Sequence, residues 1–327
     1  MKKRILSMLI VMAMLASLLV GCGTKEQATD DVTIRLASLK GPTSMGLVKL
    51  WDDASNGNTS VSYEFTMSTQ ADEILPLLLK GDMDIALVPA NAAANLYQKS
   101  EGKICVVDIN TLGVLYLVSG DASIDSVEAL KGKTVYLTGK GTTPDYAIQY
   151  LLTANGLSLS DVTLEYKSEA TEVAAVLSEN PDGIGLLPQP FVTAACAQND
   201  QLSVVVDLNA EWEKAQDGKG IITGVTVARK AFVEEHANLV AAFIEDHKNS
   251  ADFVNSDVEA AAELVAQSGI IEKAPVAMKA IPKCNITCIA GSEMKDMLAD
   301  YLEILNEQNP EFIGGKLPED DFYYVGE

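Results

Sequence analysis

The feature that most constrains the fold is an internal repeat with an offset of about a hundred residues. Thr33-Ile34-Arg35-Leu36-Ala37-Ser38-Leu39-Lys40-Gly41-Pro42-Thr43-Ser44 leads into Met45-Gly46-Leu47-Val48-Lys49-Leu50-Trp51. Its echo, Thr134-Val135-Tyr136-Leu137-Thr138-Gly139-Lys140-Gly141-Thr142-Thr143-Pro144, leads into Asp145-Tyr146-Ala147-Ile148-Gln149-Tyr150. Each copy reads as a β-branched strand, a Lys-Gly turn with hydroxyls and a proline, then an amphipathic helix. The proline suits a first helical turn, where its missing N–H has no partner to lose. The match continues: 61–67, Ser68-Thr69-Gln70-Ala71 and 72–79 are answered by 162–167, Ser168-Glu169-Ala170 and 171–177. A third pair, 81–91 and 181–190, puts a short apolar strand before a proline in Val88-Pro89-Ala90-Asn91 and Leu187-Pro188-Gln189-Pro190.

Repeated strand-turn-helix units are βαβ units, so the expected fold is α/β, with two similar lobes, each a mostly parallel sheet flanked by helices. Residues 111–119 read as a strand running from one lobe to the other, and 221–227 as the return. These two segments form the expected hinge, with Gly113 and Gly224 able to absorb backbone change or to permit close packing. The first lobe takes 31–117 and 223–327, and the second takes 118–222. Helices expected from 231 to 253, 258 to 268 and 292 to 308 go to the first lobe, because no third strand-helix pair is evident after 227. Ligands of such sheets bind where strand carboxyl ends face a crevice, which here lies between the lobes.

Lys2, Lys3 and Arg4 precede a run from 5 to 20 with no charge, the pattern of a secretory signal spanning 1–21. Leu19-Val20-Gly21-Cys22 resembles a bacterial lipobox, which implies cleavage before Cys22 and a lipid on that residue. The polar stretch 22–30 then reads as a tether, leaving the protein on the outer face of the cell membrane without spanning it. Of 24 bases and 46 acids, cleavage removes three bases and no acids, leaving 21 against 46 and a formal charge of −25. So acidic a chain lacks the footprint of a nucleic-acid binder.

Cys105, Cys196, Cys284 and Cys288 match neither a zinc ribbon nor a redox pair, and no metal or cofactor is expected. Cys105 and Cys196 lie in apolar runs. Cys284 and Cys288 could close a small disulfide if the segment coils; in an extended strand the sulfurs lie too far apart, and free thiols are favoured. GxSxG, HExxH, a P-loop and a GxGxxG in its strand-turn-helix context are missing, so no catalytic residue is assigned. His236 and His247 share a charged segment with Glu234, Glu235, Glu245 and Asp246 and read as a solvated helix face rather than a general base.

The lipobox, the doubled lobes and the turns at 38–43, 88–91 and 187–190 together resemble the substrate-binding lipoproteins of ABC importers. The order of elements is most similar to the nitrate/sulfonate/taurine branch, of type II periplasmic-binding-protein fold. That resemblance implies a monomer that closes on a small-molecule ligand and hands it to a permease driven by a separate ATPase. Other uses of the fold are a receptor for a thiamine-precursor-like heterocycle, a sensory lipoprotein and a small-acid enzyme.

Within the cleft, the candidate ligand-binding residues are Ser38, Lys40, Gly41, Pro42, Thr43, Ser44, Ser68, Thr69, Gln70, Pro89, Ala90 and Asn91 of the first lobe. Gly141, Thr142, Thr143, Pro188 and Gln189 are their counterparts in the second. Helix N-termini offer free N–H groups and partial positive charge, the glycines allow close approach, and hydroxyls can bind ligand or cap their own helix. Lys40 and Lys140 precede equivalent glycines and could neutralise an anion. Without an arginine placed as a clamp, amino-acid ligands are disfavoured against a ligand held by N–H groups and hydroxyls, and the resemblance implies a small anion such as a sulfonate or nitrate. Tyr97, Tyr116, Tyr146, Phe191 and Trp212 are the aromatics able to reach the cleft.

Overall fold

Ile34 and Leu36 alternate inward along β1 (Thr33–Leu39), where the computed structural model, which describes residues 32–326, first becomes a sheet. The signal 1–21, Cys22 and the tether 22–30 lie outside the described residues. From β1 the chain runs through α1 (Pro42–Met45), α2 (Val48–Ser55), β2 (Ser62–Ser68), α3 (Ala71–Lys80), β3 (Ile85–Pro89) and α4 (Ala90–Lys99) to β4 (Ile104–Leu112). The second lobe holds β5 (Leu115–Ser119), β6 (Thr134–Leu137), α5 (Thr143–Ala154), β7 (Thr163–Tyr166), α6 (Ala170–Glu179), β8 (Ile184–Pro188), α7 (Phe191–Gln198), β9 (Ser203–Asp207) and α8 (Leu208–Ala215). The chain returns through β10 (Ile222–Arg229), α9 (Lys230–Glu235), α10 (Ala237–Ser256), α11 (Val258–Gln267), α12 (Ala274–Ala280), β11 (Ile286–Ala290) and α13 (Gly291–Gln308).

The repeat is a topological identity. β1 lies parallel to β2 and β3, pairing Thr33 with Ser62 and Leu36 with Ile85; β6 lies parallel to β7 and β8, pairing Thr134 with Thr163 and Val135 with Ile184. In each lobe a strand delivered by a crossing then joins antiparallel, β10 beside β3 and β5 beside β8. The sheet orders are β11-β4-β10-β3-β1-β2 and β7-β6-β8-β5-β9, so both sheets are mixed, with parallel strands at the repeat.

Three expectations need correction. Residues 111–119 are not one strand: β4 ends at Leu112 in the first sheet, and β5 begins at Leu115 in the second, so the change of lobe falls at Gly113–Val114. A third strand-helix pair does exist, since β11 pairs antiparallel with β4 and leads into α13. It holds Cys288 among mostly half-buried residues, and a mainly apolar run of five is too short to be told from a helix segment by pattern alone. His247 is not on a solvated face: it is fully buried, with Nδ1 3.1 Å from Oδ2 of the equally buried Asp108. The four cysteines of the described residues are free thiols.

The lobes meet beyond the two crossings. Trp212 of α8 is fully buried against Tyr150 of α5 and Tyr301 of α13, with ring centroids 4.4 and 5.9 Å away, and Lys219 pairs with Asp300 at 2.8 Å. After α13, Phe312 stacks on Tyr146 of the second lobe at 3.6 Å between centroids, while its carbonyl accepts Nδ2 of Asn95 from α4 at 2.8 Å. Asp84, at the mouth of β3, ties β1 to β10: its carboxylate accepts the Arg35 guanidinium at 2.7 and 2.9 Å, the Arg35 N–H at 3.0 Å and the Arg229 guanidinium at 2.5 Å.

Candidate functional site

The turns that follow β1 and β2 in the first lobe and β7 and β8 in the second meet across one crevice. A pocket of about 550 Å³ opens there. Lys40, Gly41 and Thr69 line it from the first lobe, Glu169, Thr171, Pro190 and Phe191 from the second, and the segment around Glu272 and Lys273 closes it. Of the sequence candidates, Lys40, Gly41 and Thr69 therefore reach this pocket directly. Among the described residues Lys40 forms no salt bridge, whereas Lys140 stands over the Tyr166 ring at 5.3 Å.

The hydroxyls of the first turn are used inside it. Thr43 donates to the Leu39 carbonyl at 2.7 Å, Ser44 to the same oxygen at 2.6 Å, and Ser38 and Ser44 share a 2.6 Å bond. Pro42 sits at the start of α1, as the sequence suggested. Ser68 and Gln70 organise their own turn, where Ser68 Oγ accepts the Gln70 N–H at 3.2 Å and bonds Glu73. Thr142 likewise donates to the Gly139 carbonyl at 2.6 Å. Neither Thr43 nor Thr142 accepts a backbone N–H as a helix cap. With their protons committed, these hydroxyls have lone pairs to offer, and an anion has no use for those.

The second-lobe turn differs in charge from the first. The Gly141 N–H donates to Asp145 at 2.8 Å, so the α5 N-terminus already carries a carboxylate of its own. Asp145 also accepts the Tyr166 hydroxyl at 2.6 Å and Gln149. Burial, with Asp145 adding its charge, pushes the Tyr146 hydroxyl up to about 12. Sequence reasoning passed over Asp145, although an acid three residues after Thr142 is the spacing of a capping acid. It also missed Glu169 and Thr171, at the start of α6, and Glu272 and Lys273, just before α12, which are distant in sequence from the first-lobe turns; Phe191 was among the aromatics foreseen.

Between the lobes, Asn91 Nδ2 reaches the Gly141 carbonyl at 3.5 Å, an oxygen that also accepts the Tyr146 hydroxyl within the second lobe. Asn91 is 3 % exposed and its Oδ1 has no hydrogen-bond partner. Gln189, 1 % exposed, accepts the Thr193 hydroxyl at 2.8 Å while its Nε2 is left unpaired. Unpaired buried polar atoms are uncommon in proteins, and these two sit at turns that end β3 and β8. Pro89 and Pro188 end those strands, Ala90 is buried beside Asn91, and Thr143 is buried in the first turn of α5. Gly113 and Gly224 serve close approach: a Cβ on the first would collide with the Asn209 side chain, and on the second with Asn110 and Thr43.

The model of the phosphonate ABC transporter periplasmic substrate-binding protein family matches residues 56–267. Among solved structures, an ABC transporter protein of Parabacteroides distasonis is 25% identical, with a TM-score of 0.76 over 90% of this chain and 99% of that one. The periplasmic aliphatic sulphonate binding protein of Escherichia coli is 16% identical, with a TM-score of 0.72 over 90% and 92% of the two chains. The alkanesulfonate-binding protein of Xanthomonas axonopodis pv. citri, bound to MOPS, is 15% identical, with a TM-score of 0.66 over 88% and 94%. Comparison with curated protein sequences finds no significant match. The lobes, the crevice and the family match lead to one conclusion: the chain belongs to the periplasmic substrate-binding proteins of phosphonate-type ABC transporters.

Proposed function

We propose that this protein captures a small anion that also carries hydrogen-bond donors, an aminated or hydroxylated phosphonate or sulfonate, and delivers it as a monomer to an ABC permease with its ATPase. The observation that carries this reading is the pocket walled by both lobes, with Lys40 on the first-lobe side. The acid group faces that side, because the second-lobe turn holds Asp145 against Gly141. Asn91 Oδ1 and Gln189 Nε2, unpaired at the ends of β3 and β8 but outside the lining of that pocket, are the partners assigned to the donors and an acceptor of the ligand.

Mass spectrometry of ligand released from gently purified protein identifies the compound, and calorimetry then tests the contacts. Lys40→Ala and Asn91→Ala are each expected to bind it about ten- to a hundredfold more weakly, the cost of roughly 1.5–3 kcal/mol for a hydrogen bond to a charged or buried group. Thr43→Val, whose hydroxyl is committed to Leu39, is expected to bind close to the parent. An uncharged ligand, or Lys40→Ala and Asn91→Ala chains that bind like the parent, would sink the proposal. Phe191 in the pocket wall favours one second reading, a planar heterocycle stacked on its ring, and the same mass spectrum separates the two.

The anchor is part of this proposal, carried by Leu19-Val20-Gly21-Cys22. Cys22→Ser is expected to release the protein from membranes or leave it unprocessed, read by fractionation and intact mass. A processed Cys22→Ser chain still retained on the membrane would exclude lipid attachment at this residue.

A further inference from the structure

Three side chains from three elements converge inside the first lobe: Asp108 of β4, His247 of α10 and Cys288 of β11. Their ligand atoms all lie within 4.8 Å of one another, and the imidazole and carboxylate are fully buried. His247 Nδ1 and Asp108 Oδ2 are 3.1 Å apart, close to the spacing that two ligands on one tetrahedral ion adopt. Cys288 Sγ has only a weak contact, to the Ile244 carbonyl at 3.7 Å. Nothing in the proposed capture of a ligand uses this cluster.

We infer that Asp108, His247 and Cys288 form a site for one divalent metal ion of the zinc class. The donor set argues for it. A thiolate and an imidazole beside one carboxylate suit a borderline-soft ion, whereas magnesium and calcium seek oxygen. Charge argues for it as well: carboxylate, thiolate and a divalent cation sum to zero, which is what a buried cluster requires. A plain His–Asp hydrogen bond would account for two of the three residues and leave the thiol without a role.

The surroundings are those of a supported ligand set. Asp108 Oδ1 accepts the Thr226 hydroxyl at 2.7 Å, and Thr226 Oγ1 accepts Asn110 Nδ2 at 3.2 Å, which fixes the carboxylate from behind. Cys288 is half-buried, and Ile244, whose carbonyl its thiol meets, lines a groove of about 450 Å³. Gly46, at the end of the ligand-binding turn, packs against the other edge of the imidazole, where a Cβ would stand 3.6 Å from Nε2.

Cobalt(II) titration of the full chain tests the assignment, because a thiolate ligand gives a charge-transfer band and four-coordination gives intense visible bands. One equivalent per chain is expected to produce both, and zinc is expected to displace the cobalt. Cys288→Ser, a half-buried and nearly isosteric change, is expected to remove the charge-transfer band and weaken cobalt binding at least about tenfold, with circular dichroism reporting an intact fold. Cys196→Ser is expected to leave both signals in place. A parent chain with no charge-transfer band at saturating cobalt would overturn the site, as would a Cys288→Ser chain that keeps the band or the affinity.

Discussion

An Asp84→Ala chain is expected to lose about 3 kcal/mol of folding stability, the lower end of the range for removing one partner of a buried ion pair. Asp84 is 2 % exposed and accepts from two arginines and a backbone N–H. Without it, Arg35 and Arg229 keep some contact with water, which limits the cost. Burial opposes ionisation of Asp84, but the Arg35 and Arg229 hydrogen bonds outweigh it and hold the carboxyl below the usual carboxylate range. A lowered folded value places this stabilisation at full strength above a pH of about 4, with loss as pH falls through the folded value. Urea unfolding of parent and variant at neutral and acid pH measures both effects. A loss under about 1 kcal/mol, or a difference that does not shrink in acid, would contradict the account.

Trp212→Ala is expected to cost about 3–5 kcal/mol, the range for emptying a buried aromatic site. The indole is fully buried between Tyr150 and Tyr301, so the cavity is walled by rings from α5 and α13 that cannot easily close it. Because Tyr301 loses its neighbour in that variant, adding Tyr301→Ala is expected to cost less than it does in the parent. Thermal unfolding of the two single variants and the double variant gives the comparison. Strict additivity would show that α13 and α8 do not support one another.

The lobes were legible because a repeat doubles every local signal. A Lys-Gly turn and a buried strand ending in proline are weak evidence once and strong evidence twice, and both recur in matching register. What escaped lies where meaning depends on neighbours. β11 has only Ile286 well buried along its length, so its pattern could not show that it would border β4. His247 looked solvated because Glu245, Asp246 and Lys248 flank it in sequence, yet on a helix those point elsewhere while His247 turns inward to Asp108. The site was legible only in outline. The turns were found, but that Thr43 and Thr142 spend their protons on their own carbonyls, and that Asp145 takes the Gly141 N–H, depends on atoms no periodicity reveals.

The crossing strands of this molecule are interior strands. β10 is hydrogen-bonded to β3 on one side and β4 on the other, and β5 to β8 and β9. A strand laddered on both edges resists shear, so each sheet travels as a rigid plate and any swing of one against the other is concentrated in the short links at 113–114 and 216–221. The stacked Tyr146–Phe312 pair bridges the two plates, so a swing that drew them apart there would have to part those rings. Any change in the gape of the crevice would then be set by a few backbone torsions and by the contacts that bridge the plates, Tyr146–Phe312, Trp212–Tyr301 and Lys219–Asp300 among them, not by bending of the sheets.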